Sequence, residues 1–467
     1  MSFVTNLLLT STLGASMFGV LALGRRITGI AGSFASAGSN VALIRFVPEH
    51  SDAERKESYL GLSYLLTFTV SLVAGFVLYL LAPTLNRYTL GVQVFVPVLR
   101  VLSVFLVSEG FTLLLKDYFR ALEEVRVQVL ISRILRPSVW LTAASAAFLF
   151  DLTVLPVAAV GAAVSVLVTA VAAYFSLAQS DLRPRINLEE TADLFNYSLP
   201  ILFSRLGELL QTRADILMVG VFLTAADTGV YEISLFLSSF ISVPLYAFNQ
   251  LTAPIASRLH SSGEEKVLKD LYSTATRWIT TFMLLIAVFQ LVYSSQLLGL
   301  FGEEFRRGGL VLAILVLGNV AGSISGATEW LLRMTDHQYL SAINHWILGL
   351  LNLGLIYYLV NVFGIEGVAL SAAATLVLVN LVRLSELYYY EDLQPWNTKY
   401  LKPIASAILT AAMMKSLSFY LSGVLLLVSG ALIGTTVYFA ALYSLGIEEE
   451  DMRFLGKVQE EKVAREK

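Results

Sequence analysis

Runs of roughly 20 apolar residues follow one another along nearly the whole chain, with little between them. They lie at about 15–39, 58–82, 95–118, 127–150, 154–178, 196–222, 229–256, 274–298, 309–332, 340–362, 364–389, 401–420 and 422–445. Backbone polar groups in hydrocarbon have to be satisfied within the segment, so runs of this length become membrane-spanning helices. A shorter stretch, 1–13, precedes them; at about 1.5 Å per residue it falls short of a full crossing and counts as a short first helix of fourteen. It lacks the basic leader and small-residue cleavage site of a signal peptide, so its removal is not expected. Only 14% of the 467 residues are charged against 56% hydrophobic, too few to coat a soluble protein of this size. The expected fold class is therefore all-α, a polytopic membrane protein.

Basic residues cluster in alternate loops, which sets orientation by the positive-inside rule. One set holds Arg45, Arg55 and Lys56; Arg120 and Arg126; Arg183 and Arg185; Arg258, Lys266 and Lys269; Lys399 and Lys402; and Arg453, Lys457 and Lys462. The opposite set has little beyond Arg87, Arg306, Arg307 and Lys415. Both termini are expected on the cytoplasmic side of the cell membrane, in keeping with an even helix count. The net charge of −3 averages loops that face different compartments and identifies no partner.

The chain also reads as one membrane unit written twice. His50-Ser51, Glu54 and Lys56 recur as His260-Ser261, Glu264 and Lys266, a shift of 260 − 50 = 210, and the same shift takes Gly19-Val20 to Gly229-Val230. Arg120 recurs as Arg333 and Gly161 as Gly367, at offsets of 213 and 206 that indels in loops would produce. Each copy has six helices, about 1–180 and 190–392, so both insert in the same orientation, as in transporters built of parallel repeats. The helix pair 398–446 has no counterpart in either copy, and the mixed-charge tail 447–467 reads as a solvated helix or disordered end.

Several chemistries are excluded. Without cysteine there is no disulfide, thiolate metal site or cysteine nucleophile. Four histidines lack metal-ligand spacing; His50 and His260 are expected to be solvated loop residues, and His345, inside a span, needs a polar partner. There is no GxxxxGK[ST] phosphate-binding loop, no feature of a nucleic-acid binder and no loop long enough for a soluble catalytic domain. The expectation is a non-enzyme without cofactor or metal, working between helices on an ion gradient, H+ or Na+, or on the gradient of its substrate.

Ionisable residues within spans are costly and mark a cavity or one another. Arg205, Glu208, Thr212 and Asp215 follow +3, +4, +3 spacing, which places them on one helical face within an arc of about 80°, flanked by Gln211. This stripe reads as the polar wall of a central cavity with Arg205 as an anion contact; the competing reading is an internal Arg205 to Glu208 pair stapling the helix to a neighbour. Arg25 and Arg26 lie near mid-depth of their span and point about 100° apart, so one can face the cavity while the other pairs or snorkels. Weaker candidates are the stripe of Glu109, Thr112, Lys116 and Arg120, where self-pairing competes with function; Arg133 and Arg136 at a cytoplasmic mouth; Glu232, and Glu329 with Arg333, as helix-terminal ion pairs; and His345. In the first copy Arg25, Arg26, Lys116, Arg133 and Arg136 stand against Glu109 alone among clearly embedded acids, a balance that suits an anionic substrate.

Arg45-Phe46-Val47-Pro48-Glu49, the stretch Asp215-Ile216-Leu217-Met218-Val219-Gly220 leading to Gly229-Val230-Tyr231, the segment Leu300-Phe301-Gly302-Glu303-Glu304-Phe305, and Asn352 followed by Phe363-Gly364-Ile365-Glu366-Gly367-Val368-Ala369 together carry a resemblance. The chain resembles the polysaccharide transporter family of the multidrug/oligosaccharidyl-lipid/polysaccharide exporter superfamily over nearly its whole length. The resemblance implies two six-helix lobes in a V-shaped bundle that rocks between inward- and outward-open states. It also implies export or flipping of an oligosaccharide linked to a polyprenyl or dolichyl phosphate carrier, in company with glycan-assembly enzymes. The short first helix departs from the family pattern. Rival readings are a multidrug extruder, which relies on an embedded N-terminal acid where this chain has Arg25 and Arg26; a lipid II flippase; and a membrane scaffold or enzyme subunit.

Overall fold

Every predicted run is helical, and among the described residues there is no strand. The computed structural model describes residues 1–179, 182–446 and 448, apart from the side chains of residues 177, 179, 204, 210–213, 253 and 338. Of the predicted tail, all but Glu448 lies outside the described residues.

In chain order the first helices are α1 (Ser2–Ala35), α2 (Ser39–Glu49), α3 (Ala53–Tyr88), α4 (Phe95–Ala121), α5 (Val125–Val129), α6 (Arg136–Phe150), α7 (Val154–Gln179) and α8 (Thr191–Phe222). They are followed by α9 (Ala225–Ser238), α10 (Val243–Ser261), α11 (Glu265–Val292), α12 (Ser294–Gly299), α13 (Gly309–Ser323), α14 (Thr328–Met334), α15 (Gln338–Glu391), α16 (Leu401–Leu417) and α17 (Gly423–Ser444). Several predicted spans are composite. A π-helical stretch, Leu130–Leu135, fuses α5 to α6, and a 3-10 turn, Ser239–Ser242, fuses α9 to α10. Runs 340–362 and 364–389 are both in α15, which breaks at Gly364. The predicted run 15–39 ends early, at Ala35, because Ala37 and Gly38 take φ of +47° and +78°. Along α3, Phe68, Leu72, Val73 and Phe76 are exposed, the face expected of a helix solvated by lipid. The protein is an all-α, multi-pass membrane protein.

Two compact units make up the chain. The first holds Met1–Ile233, Leu300–Phe305 and Asn352–Val368; the second holds Ser234–Gly299, Arg306–Leu351 and the described part of Ala369–Lys467.

In the first unit, α2, α3 and α4 pack through Leu43, Val47, Tyr59, Leu60, Leu114 and Tyr118, with the Phe46 and Tyr59 rings stacked at 4.6 Å. His50, expected to be solvated, sits at the end of α2 with Nδ1 at 3.0 Å from the Phe46 carbonyl and its ring against Tyr59. Gly19 and Gly229, 210 positions apart in the sequence, meet directly. A Cβ on Gly19 would lie 1.8 Å from the Ala225 carbonyl, and one on Gly229 would lie 2.2 Å from that of Ala15, so α1 and α9 touch backbone to backbone. Just before this contact Gly14, at φ +67°, breaks α1. The Glu304 carboxylate accepts the Ala15 N–H that the break leaves open, while Phe301 and Phe305 set their rings edge-on to Phe3 and Phe18 at 5.4 and 6.3 Å.

The core of the second unit includes Ala256, Leu259, Leu268, Tyr272, Leu331, Leu332, Leu387 and Leu393. His260, also expected to be solvated, is 3.5 Å from Glu391, whose other oxygen lies 3.4 Å from His337. Tyr293 and Tyr438 donate to the Met414 and Thr281 carbonyls, tying α16 and α17 to α11.

Candidate functional site: a polar cavity in the first unit

Helices α1, α2, α4, α6 and α8 enclose a cavity of about 300 Å³ lined by Ser33, Asn40, Leu113, Lys116, Asp117, Arg136, Arg205, Glu208 and Leu209. That volume sits at the lower end of small-molecule sites. Five of its nine lining residues carry charge, in a segment whose neighbours are apolar.

Spacing on two helices builds most of the wall. On α4 Leu113, Lys116 and Asp117 follow at +3 and +4, and on α8 Arg205, Glu208 and Leu209 do the same, so each helix presents one face. Asp117 is buried and is the hub. It accepts from the Asn40 amide, whose own oxygen accepts from Ser36 Oγ at 2.8 Å, and from Lys116 Nζ at 3.0 Å. Arg136, at the first turn of α6, donates to the buried Glu109 of α4. Arg205 Nη1 reaches the Ser33 carbonyl of α1 at 3.4 Å.

The remaining candidates divide among other environments. Arg26 makes a two-pronged pair with Glu232 of α9, Nη2 to Oε1 at 2.7 Å and Nε to Oε2 at 3.0 Å. Beside it Asp215 is buried, accepting the Tyr231 hydroxyl at 2.9 Å and the Ile216 amide at 2.8 Å. The predicted stripe on α8 therefore splits: Arg205 and Glu208 line the cavity, and Asp215 turns to α9. Gln211 and Thr212 belong to the same helix, but their side chains lie outside the described residues. Arg25 places its guanidinium 4.1 Å from the Trp140 ring centre, a cation–π contact. Arg133 is exposed on the π-helical stretch.

Three expectations need correction. The stripe from Glu109 to Arg120 does not pair within itself: Glu109 binds Arg136 of α6, and Lys116 binds its chain neighbour Asp117, a residue outside the predicted stripe. Glu232 does not form a helix-terminal pair, since its partner is Arg26, 206 residues earlier. The first-copy arginines and lysine are not opposed by Glu109 alone, because Asp117 and Glu232 neutralise Lys116 and Arg26.

In the second unit Glu329 of α14 gathers three cations or potential cations. It accepts from Arg333 one turn on, from His345 Nε2 at 3.3 Å and from Arg383 Nη1 at 3.3 Å. The Glu329 and Arg333 pair is local, as expected, and His345 has its polar partner. Nearby, Asn344 donates to Glu386 at 2.8 Å.

Asn40, Asp117, Trp140 and Arg383 escaped the sequence reading. Asp117 had a signal, since it lies eight residues after Glu109 on the same helical face; Arg383, deep in an apolar run, had another. No group of three or more His, Cys, Asp or Glu residues suited to a metal occurs among the described residues.

Residues 8–307 match the model of a family described as polysaccharide biosynthesis protein. A relative described as a probable low-salt glycan biosynthesis flippase, Agl15 of Haloferax volcanii, is 29% identical over 191 residues, 40% of this chain and 40% of that protein. The match thus spans well under half of either sequence. Among solved structures, the lipid II flippase MurJ in an inward closed conformation has a TM-score of 0.73 at 13% identity, covering 94% of this chain and 96% of its own. An inward-facing multidrug resistance transporter of the MATE family has a TM-score of 0.67 at 16% identity, covering 83% and 93%. At these identities the likeness is one of fold.

Proposed function

The chain belongs to the polysaccharide biosynthesis protein family, and on that premise we propose that it is a flippase carrying a lipid-linked oligosaccharide across the cell membrane by alternating access. The observation that carries this reading is the charge of the first-unit cavity, where Lys116, Arg136 and Arg205 face Asp117 and Glu208. A headgroup joined to its lipid through phosphate is anionic and rich in hydroxyls. Cations bind its phosphate, while carboxylates and the Asn40 amide accept and donate to sugar hydroxyls.

In this reading Arg205 is the phosphate contact, because Lys116 and Arg136 are tied to Asp117 and Glu109. Arg26, paired with Glu232, is a structural cation, and Arg25 is held by Trp140. The lipid tail stays in the bilayer while lobes 1–180 and 190–392 exchange access between the two faces. Both termini are cytoplasmic, the protein has no catalytic step of its own, and an H+ or Na+ gradient, or the gradient of the substrate itself, supplies the drive. The lipid-linked substrate comes from glycan-assembly enzymes. Organic-cation antiport is the second reading, favoured by the Asp117 and Glu208 carboxylates in the same wall.

Removing the gene should accumulate a lipid-linked precursor on the cytoplasmic leaflet and leave resistance to cationic drugs unchanged. Restoring the chain with Arg205→Ala should leave surface glycan at about a tenth or less of the wild-type level, the scale of one lost charged contact. Full glycan output from membrane-inserted Arg205→Ala protein would remove Arg205 from the site, and loss of drug resistance on gene removal would favour the antiporter.

A further inference from the structure

The helix pair α16 and α17 has no counterpart in the repeat, and it frames a second cavity. This one, about 330 Å³, lies wholly within the second unit between α11, the start of α16 and the end of α17. Its lining divides by chemistry. Arg277, Lys399 and Lys402 supply charge, and Trp278, Pro403, Phe439, Leu442 and Tyr443 supply an apolar wall. We propose that this cavity binds the phosphate of an anionic membrane phospholipid, with the acyl chains along the apolar wall.

Three observations support the assignment. The cavity already holds an anion in the form of the protein's own carboxylate: Lys402 Nζ donates to Glu448 Oε1 at 2.6 Å, and Lys399 Nζ stands 3.9 Å from Oε2. That carboxylate marks where phosphate oxygens are stable, since both are charged acceptors for ammonium donors. Second, Arg277 is only 7% exposed, yet it projects from a membrane-spanning helix into this cavity. Embedded arginine at a cavity wall is a binding signal. Third, Lys399 and Lys402 at the start of α16 meet Trp278 of α11 and Tyr443 at the end of α17, the residue mixture that sits at headgroup level. A free phosphate ion would use the cations and leave the aromatic wall idle; a phospholipid uses both.

Glu448 then acts as a competitor. It opens an acidic run, Glu448 to Asp451, at the head of the tail, and lipid phosphate must displace its carboxylate from Lys402. The Lys402 hydrogen bond holds the Glu448 carboxyl below the usual glutamate range, so the competitor stays ionised at neutral pH. Occupancy by lipid therefore reports the anionic lipid content of the leaflet and frees the Glu448 carboxylate. The site stands apart from the flippase reading, because its test measures binding and not transport.

The test uses the purified full chain and native mass spectrometry with phosphatidylglycerol, phosphatidylcholine or inorganic phosphate as probe. Wild-type protein should retain phosphatidylglycerol over phosphatidylcholine, and Lys399→Gln/Lys402→Gln should reduce that retention about tenfold, the order expected of two interfacial lysines. Glu448→Gln, which preserves shape and removes the competing charge, should raise retention about threefold, on the same scale. Glu448→Gln also guards against a double variant that simply misfolds. Equal retention by wild type and the lysine variant, or no gain in Glu448→Gln, overturns the proposal. Displacement of phosphatidylglycerol by millimolar inorganic phosphate alone overturns the lipid assignment.

Discussion

Asp117 holds together three elements of the first-unit cavity with a single carboxylate. Asn40 of α2 donates to one oxygen, Lys116 of its own helix sits on the other, and Ser36 closes the chain through Asn40. Asp117→Ala strands the buried Asn40 amide and removes the counter-charge of Lys116, so a loss on the order of 3 kcal/mol in stability is expected. A lowered thermal unfolding midpoint in detergent would register it. Arg205→Ala should differ in kind, because its hydrogen bond to the Ser33 carbonyl is a long 3.4 Å contact. Its unfolding midpoint should stay within a degree or two of wild type while glycan export falls. The Glu448 carboxylate offers a pH test of sign. Its folded pKa is depressed, so its contact with Lys402 is complete above the ordinary glutamate value of about 4.3 and is lost only as pH falls through the lower folded value. Release of the Glu448 carboxylate, measured by a fluorophore near residue 448, should therefore begin only below the ordinary glutamate range.

Where two helices touch backbone to backbone, side-chain chemistry has no say and only glycine serves. Gly19 on α1 and Gly229 on α9 are such a pair, 210 positions apart in the sequence. A Cβ on Gly229 would meet the Ala15 carbonyl at 2.2 Å, so Gly229→Ala forces the helices apart by about 1 Å. The cost should be about 1–3 kcal/mol, as for other overpacked contacts, and a lowered thermal unfolding midpoint in detergent would detect it. The positions of the elements were legible from apolar runs, since a bilayer leaves a long apolar segment few alternatives. Their interruptions were not. Nothing in the run 15–39 announces that Ala37 will adopt a positive φ, and nothing in 127–150 announces a π-helical turn at Leu130. Those details depend on packing against helices far along the sequence.

The whole molecule keeps its fold class visible in the sequence and hides its ion pairs. Arg25 and Arg26 could be separated by helical geometry, yet Glu232 could not be named as the partner of Arg26, because pairs 206 residues apart leave no local periodicity. The charge count of the first copy consequently overstated the free positive charge. The cavity lining shows three cations against two carboxylates, but Glu109 behind Arg136 evens the count, and two of the three cations are already engaged. One long-range contact also has a temporal consequence. The Ala15 amide is completed by a carboxylate 289 residues later. A ribosome adding roughly 5–20 residues per second reaches Glu304 some 15–60 s after Ala15 emerges. Throughout that interval the first helix sits in the membrane with an open donor at its break, and its final form waits on the second half of synthesis.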